Sequence, residues 1–378
     1  MECLVDGDWL ENITRIADTT KASRIVGDSQ FFKFEIKDDN LVIKAWCVDC
    51  YTAWFSTPCR ASEDASFCVN RHVFSDAVAA LPKSAGINLS TDGKHARLSA
   101  HSQSVAMPLG IANFAEYGTG LETTTFHVEH DDFVLGFKKI FTAIERIDAV
   151  QRGYLVHAMF MDIQSDGMTL YATDSRMVSM VQVPSAVVEQ DQVGPRPPLV
   201  LAIPFELARA ISQCHSKLLG HSVLIKTDER CVALDFGVAR FVCPLVVSGR
   251  VPPLDAMLNH QGKLTKAQFN RKEMVDAVRL ATVVADADGG VTTAVTLGET
   301  GDLTMRINTE SGSSVAVVRA VEFEGPASVH VNGRRLADAL ASSSDEIVHL
   351  VFSDDTRQPM WIHNDAEWTS LLMLVAPP

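Results

Sequence analysis

Residues 126–144 read FHVEHDDFVLGFKKIFTAI: a short alternating run, a few polar residues, then apolar side chains at a helical interval. Phe133, Phe137, Phe141 and Ile144 fall at i, i+4, i+8 and i+11, so the spacing predicts a strand leading straight into a helix with one apolar stripe. The same pattern returns as CLVDGDWLENITRIAD from Cys3, FCVNRHVFSDAVAALP from Phe67, LVLAIPFELARAISQC from Leu199, LTKAQFNRKEMVDAVRLA from Leu264 and VHVNGRRLADALASSS from Val329. In the copy from Leu199 the stripe is Leu207, Ile211, Cys214 and Leu218. The copies recur about every 65 residues, the signature of a repeat architecture.

Between the helices lie runs that alternate apolar and polar residues: FFKFEIKDDNLVIKAW, INLSTDGKHARLSA, MFMDIQSDGMTLYATD, VLIKTDERCVALDF, AVTLGETGDLTMRI and IVHLVFSDDTRQPMWI. Several carry Asp-Asp, Asp-Gly or Gly-Asp between their arms, which predicts hairpins. Each repeat is then one helix plus a β meander. A single repeat cannot cover its own helix stripe, so repeats pair, giving an α+β protein of three domains at 1–121, 122–258 and 259–378. The limits fall in the turn-rich stretches YGTGLETT (117–124) and LNHQGK (258–263), and PSAVVEQDQVGPRPP (184–198) reads as a loop within the middle domain.

At 378 residues, 47% hydrophobic and 21% charged, the chain can bury substantial cores and is not a disordered scaffold. The opening MECLVDGDWLENI has acids where an export signal carries bases, and the longest apolar stretch, LLMLVA at 371–376, is too short to span a bilayer. A cytoplasmic, membrane-free protein is the expectation. Of the eight cysteines, Cys68, Cys231 and Cys243 lie in strand-like runs and read as reduced core residues. Cys47 and Cys50 with Cys59 and Cys68 form the best zinc candidate, but the second pair is nine residues apart, so no metal is expected. The histidines are dispersed, no glycine-rich phosphate loop follows a strand, and no Gly-x-Ser-x-Gly elbow occurs. No catalytic residue and no cofactor are expected, and Asp174 beside Thr173 reads as a turn cap rather than a base.

The net charge is −14, yet it is unevenly spread. Helix windows 8–18, 71–83, 131–147, 205–217, 271–281 and 334–342 together carry +2, which leaves −16 on the other 304 residues. Lys138, Lys139 and Arg146 lie off the Phe stripe, as do Arg209 and Lys217, and Arg271, Lys272 and Arg279, in their own helices. Repeated helices that are mildly basic on an acidic protein suggest one surface facing a polyanion, through phosphate contacts that carry no base sequence.

The segment YATDSRMV, at 171–178, resembles the ATDGHRL segment of the bacterial β sliding clamp family, the processivity subunit of the replicative DNA polymerase. MECLVDGDWLENITRIAD is similar to that family's first strand and helix, IPFELARAI to its IPRKALLEL, SGRVPPLDAML to its EGRFPDYERVIP and VHVNGRRLADAL to its FNVRYLLDVL; the chain, like the family, closes on an apolar strand. The resemblance covers the whole chain in order. It implies three repeated clamp-type domains, and two subunits closed head to tail into a ring around duplex DNA, tethering a polymerase after loading by a clamp loader. A relative of the same fold that stays monomeric, as a replication or repair adaptor, is the alternative; a ring requires complementary edges on the first and last domains, and the sequence does not show whether strands such as VAMPLGI and TMRINT pair across subunits.

The resemblance also implies sites. Leu155, Thr173, Ser175, Met177, Val178, Pro252, Met257, Asn332, Leu372 and Met373 correspond to a pocket that grips short partner peptides. Arg24, Lys138, Lys139, Tyr154, Arg209, Lys217, Arg279 and Arg334 correspond to the DNA-facing surface. The pocket departs from the family pattern: Ser175-Arg176-Met177 replaces Gly-His-Arg, Ala256 replaces a basic residue, and the ending is Leu-Val-Ala-Pro-Pro rather than Met-Pro-x-Arg-Leu. A peptide with the usual glutamine lead and leucine/phenylalanine end is therefore expected to bind weakly, and a dissociation constant near micromolar or tighter would refute that.

Overall fold

The structure is a computed structural model that describes the chain apart from residues 18–29, 48–49, 83–85, 114–123, 145–149, 152–153, 156, 165–166, 184–186, 189–198, 215–219, 229, 247–249, 253–257, 259–261, 285–291, 365–367 and 377–378. A helix stands at each of the six repeats: α1 (Gly7–Ala17), α2 (Arg71–Ala80), α3 (His130–Ile140), α4 (Phe205–Ser212), α5 (Arg271–Ala281) and α6 (Gly333–Ser342). In three of them the last strand residue is an asparagine that caps the helix. Asn70 accepts from the N–H of His72 and Val73, Asn270 from Glu273, and Asn332 from Arg334 and Arg335. Each such cap satisfies N–H groups that the first turn leaves unpaired and stabilises the helix by about 1 kcal/mol.

The chain forms two compact units, one of residues 1–135, 164–167 and 184–246, the other of 136–163, 168–183 and 247–378. In the first unit a single fourteen-stranded sheet runs from the short strand Val187–Val188 to Arg60–Ala61. Its hairpin Phe31–Lys37 and Asn40–Cys47 turns through Asp38 and Asp39, both with positive φ (50° and 57°), the conformation that matches the twist of paired strands. Strict alternation places Phe32 and Phe34 inside, against Phe74 of α2 at ring-centroid distances of 5.9 and 4.9 Å. Arg71 is buried with them; its guanidinium lies over the Phe32 ring and donates to the carbonyl of Ala17 at the end of α1. The sheet continues where Tyr51–Pro58 pairs with Ala239–Pro244, and Phe241 packs edge-on against Tyr51 and Phe55.

The second unit holds a run of eight strands in the order Ala158–Gln164, Gly167–Thr173, Met177–Val183, Trp368–Leu372, Met360–His363, Ile347–Ser353, Leu264–Asn270 and Glu322–Phe323. Gly136 lets α3 approach this sheet closely: a Cβ there would stand 2.8 Å from Leu170 Cδ1. A separate four-stranded sheet orders Gly312–Arg319, Asp302–Thr309, Thr292–Leu297 and Ala327–Asn332. α5 packs on Gly312–Arg319 and against α6. TMRINT lies inside this sheet, paired on both sides; the end strands are Gly312–Arg319 and Ala327–Asn332.

Both units carry strand pairing across a predicted domain limit. Residues 51–58 and 239–244 come from the expected first and middle domains, and 177–183 and 368–372 from the middle and last. Shared sheets of this kind group the chain into two bodies by proximity although its repeats number six. The boundary stretch 117–123, residues 259–261 of LNHQGK and most of the 184–198 loop lie outside the described residues.

Candidate partner-binding site and basic helix faces

Strand Gly167–Thr173 turns into Met177–Val183 through a tightly bonded corner. Asp174 Oδ1 accepts from the N–H of Arg176 (2.9 Å) and Met177 (2.7 Å), and its own N–H donates to the Met177 carbonyl (3.2 Å). Thr173 Oγ1 donates to the same carbonyl (2.8 Å) and accepts from the Ser175 N–H (3.1 Å). Ser175 takes a left-handed φ of 70°, a conformation that favours glycine. Asp174, whose side chain is fully buried, forms an ion pair through Oδ2 with Arg335 Nη2, and Arg335 also reaches Asp338 at 3.4 Å. A polar turn sits between buried strands here because one carboxylate satisfies its backbone and pairs with a guanidinium on α6.

Directly behind the turn, Met177–Val183 pairs with the last strand, Met177 opposite Leu372 and Val178 opposite Leu371. Val178 and Leu371 pack with Val351 and Trp361, and Leu258 and Leu264 lie against that cluster. The Met373 N–H extends the pairing by donating to the Arg176 carbonyl (2.9 Å), and the Val375 N–H donates to His330 (2.9 Å). Beside this tail lies a groove of about 540 Å³ lined by Val329, His330, Phe352, Thr356, Leu374 and Val375 among others.

Of the ten residues assigned to the peptide pocket, Thr173, Met177, Val178, Pro252 and Leu372 are buried. Every residue of Met177–Val183 except Gln182 is buried, so the neighbouring side chains of Met177 and Val178 both enter the core although they point to opposite faces. Ser175 and Met373 are exposed, and Asn332 is half-buried and spent on its helix cap. Met257 and the side chain of Leu155 lie outside the described residues. The sequence reading missed Arg335. It stands 161 residues from Asp174, and no local pattern links the two.

The basic candidates are placed separately in the two units. In the first, Arg209 is half-buried on α4, and Arg24 and Lys217 lie outside the described residues. In the second, Lys138, Arg279 and Arg334 are exposed, Arg279 with its guanidinium 4.0 Å from Asp276. Tyr154 lies in a two-residue strand paired with Val150–Gln151, its side chain undescribed. Lys139 is 7% exposed, because neighbouring helix positions point about 100° apart and Lys138 is the one that faces outward.

Burial, reinforced by Cys59, pushes the Cys3 thiol up to about 12, and burial also raises the Cys243 thiol. A hydrogen bond with Cys47 and then burial raise Cys50. Among the described residues, no group of three or more His, Cys, Asp or Glu side chains is placed to hold a metal ion. Likewise, no described helix is long and apolar enough to cross a membrane.

Six strand-to-helix repeats, with sheets that continue across the seams, define the fold of the β sliding clamp, and solved clamps match it over their full length. The DNA polymerase III beta subunit of Thermotoga maritima matches with a TM-score of 0.83 at 20% identity, covering all of both chains. That of Pseudomonas aeruginosa gives 0.81 at 15%, and the Helicobacter pylori β clamp, solved with a DNA ligase peptide, gives 0.78 at 18%, each again over both whole chains. No sequence-family model matches the chain, and no curated protein matches it.

Proposed function

We propose that this protein is a DNA sliding clamp: three clamp-type domains per chain, two chains closed head to tail around duplex DNA, tethering a replicative polymerase placed there by a clamp loader. The observation that carries this reading is the match of the chain over its full length to the full length of DNA polymerase III beta subunits. A topological link needs little affinity, since leaving DNA requires an interface to open; a few exposed cations such as Lys138 and Arg279 then suffice. On this reading the protein is a scaffold with no reaction of its own.

Two sheet edges suit a head-to-tail joint. In the second unit, Gly312–Arg319 ends its sheet with Val315 and Val317 exposed. In the first, Gln103–Gly110 contains most of VAMPLGI; its residues 103–108 pair with His95–Ala100 on one side, and on the other side only Leu109 and Gly110 pair, with Val69 and Cys68. Edges left open in one chain are satisfied when another chain extends the sheet.

Negative-stain electron microscopy at micromolar concentration tests the reading: two-subunit rings with a duplex-wide hole are expected. Three-domain monomers persisting at high concentration would overturn the ring and move the function to an adaptor of the same fold.

A further inference from the structure

We infer that Cys47 and Cys50 form a reversible disulfide site, closed by a hydroperoxide at the tip of the hairpin that joins Asn40–Cys47 to Tyr51–Pro58. All eight cysteines of the chain fall in the first unit, and all are free thiols. Their placement sets one pair apart from the rest.

A disulfide needs two sulfurs that can meet and an oxidant that can reach one of them. Cys3, Cys59, Cys68, Cys214 and Cys243 are all buried, out of an oxidant's reach. Cys231 is half-buried, but it stands opposite Pro244 while Val232 stands opposite Cys243, so Cys231 and Cys243 point to opposite faces of their sheet. Cys47 and Cys50 meet both requirements. The Cys50 N–H donates to the Cys47 carbonyl (3.1 Å), an i to i+3 bond of the kind that holds turn ends at the separation a disulfide spans. The two thiols hydrogen-bond one another, with Cys47 buried and Cys50 half-buried.

The chemistry follows from that difference in access. The Cys50 sulfur attacks the peroxide, the O–O bond breaks, and the products are a sulfenic acid on Cys50 and one water, which takes up the Cys50 thiol hydrogen. Cys47 then displaces the hydroxyl: the S–S bond forms, the S–O bond breaks, and a second water leaves with the Cys47 thiol hydrogen. In sum the two thiols lose two electrons and two hydrogens, and the peroxide becomes two waters.

The attacking form is the thiolate, and the site is guarded against forming it. The hydrogen bond with Cys47, burial, and then the Glu206 carboxylate in the first turn of α4 hold the Cys50 thiol above its ordinary range. Dilute peroxide therefore leaves the pair reduced, and excess closes it. Once closed, Cys50 has no thiol hydrogen to give Glu206, so the hairpin tip loses that bond to α4.

The test treats the reduced full chain with excess hydrogen peroxide, quenches it, unfolds it in a maleimide label and maps the peptides by mass spectrometry. Two unlabelled thiols, both between residues 47 and 50, linked to each other and restored by dithiothreitol, are the expected result. Glu206→Gln should close about tenfold faster, the effect of roughly one pKa unit on the thiolate fraction. Cys50→Ser should leave Cys47 fully labelled. Labelling of all eight cysteines in the treated wild-type chain would overturn the site, as would a bridge between other cysteines or Cys50 oxidised to a sulfinic acid beside an intact Cys47 thiol. An unchanged rate in Glu206→Gln would overturn the guard.

Discussion

The chain contains two seams made by the same device, a strand of one predicted domain continuing the sheet of the next, and they are finished differently. The seam of the first unit, Tyr51–Pro58 on Ala239–Pro244, is closed by rings: Tyr51, Phe55 and Phe241 are buried and meet edge to face. The seam of the second unit, Met177–Val183 on Trp368–Leu372, contains a buried hydroxyl pair, Ser179 with Ser370, and opens at its end onto the Asp174–Arg335 ion pair. An aromatic seam tolerates little change and offers nothing to a ligand. A polar one costs more to keep satisfied, and that cost is usually borne where a partner is recognised.

The sharpest way to break the comparison is Phe241→Ala. Removing a wholly buried ring from the aromatic seam should lower stability by about 3–5 kcal/mol in urea unfolding. A loss below about 1 kcal/mol would show that strand pairing alone holds that seam. Asp174→Ala comes next, at about 2–3 kcal/mol, since it strips two backbone N–H groups of their acceptor and leaves the partly exposed Arg335 guanidinium with Asp338 as its remaining acid. An unchanged midpoint would mean that the turn is held by Thr173 alone.

The hydroxyl pair gives a finer test. Ser179→Ala or Ser370→Ala alone should cost about 1–2 kcal/mol by orphaning its partner, and the double substitution should cost less than the two singles added. Strict additivity would show that the hydroxyls do not depend on one another. The smallest effect on stability is Lys138→Glu, within about 0.5 kcal/mol at an exposed helix site, while retention on circular DNA should fall. Unchanged retention would remove α3 from the DNA-facing surface.

Much of the fold was legible because it rests on local periodicity. The stripe of Phe133 and Phe137 is buried as its spacing requires, and Asp38-Asp39 makes the hairpin that its residue types favour. Asp174 caps its turn through two N–H bonds, as its neighbours suggested. The site was less legible because burial there is decided by layers rather than by sequence neighbours. Met177, Val178 and Leu372 entered the core from both faces of a shared sheet, and Lys139 turned inward one residue from Lys138, which did not. Arg335 met Asp174 only through the fold.

The exposed Val315 and Val317 on the last strand of the four-stranded sheet carry a consequence for handling the protein. A joint between two unlike surfaces has only two outcomes, because each subunit always presents one more free end unless the rotation closes. Closure hides every such edge and gives a soluble particle of fixed size. If the proposed ring forms, a hinge change that spoils its angle without touching the valines would turn the same contact into a growing fibre, which light scattering would register.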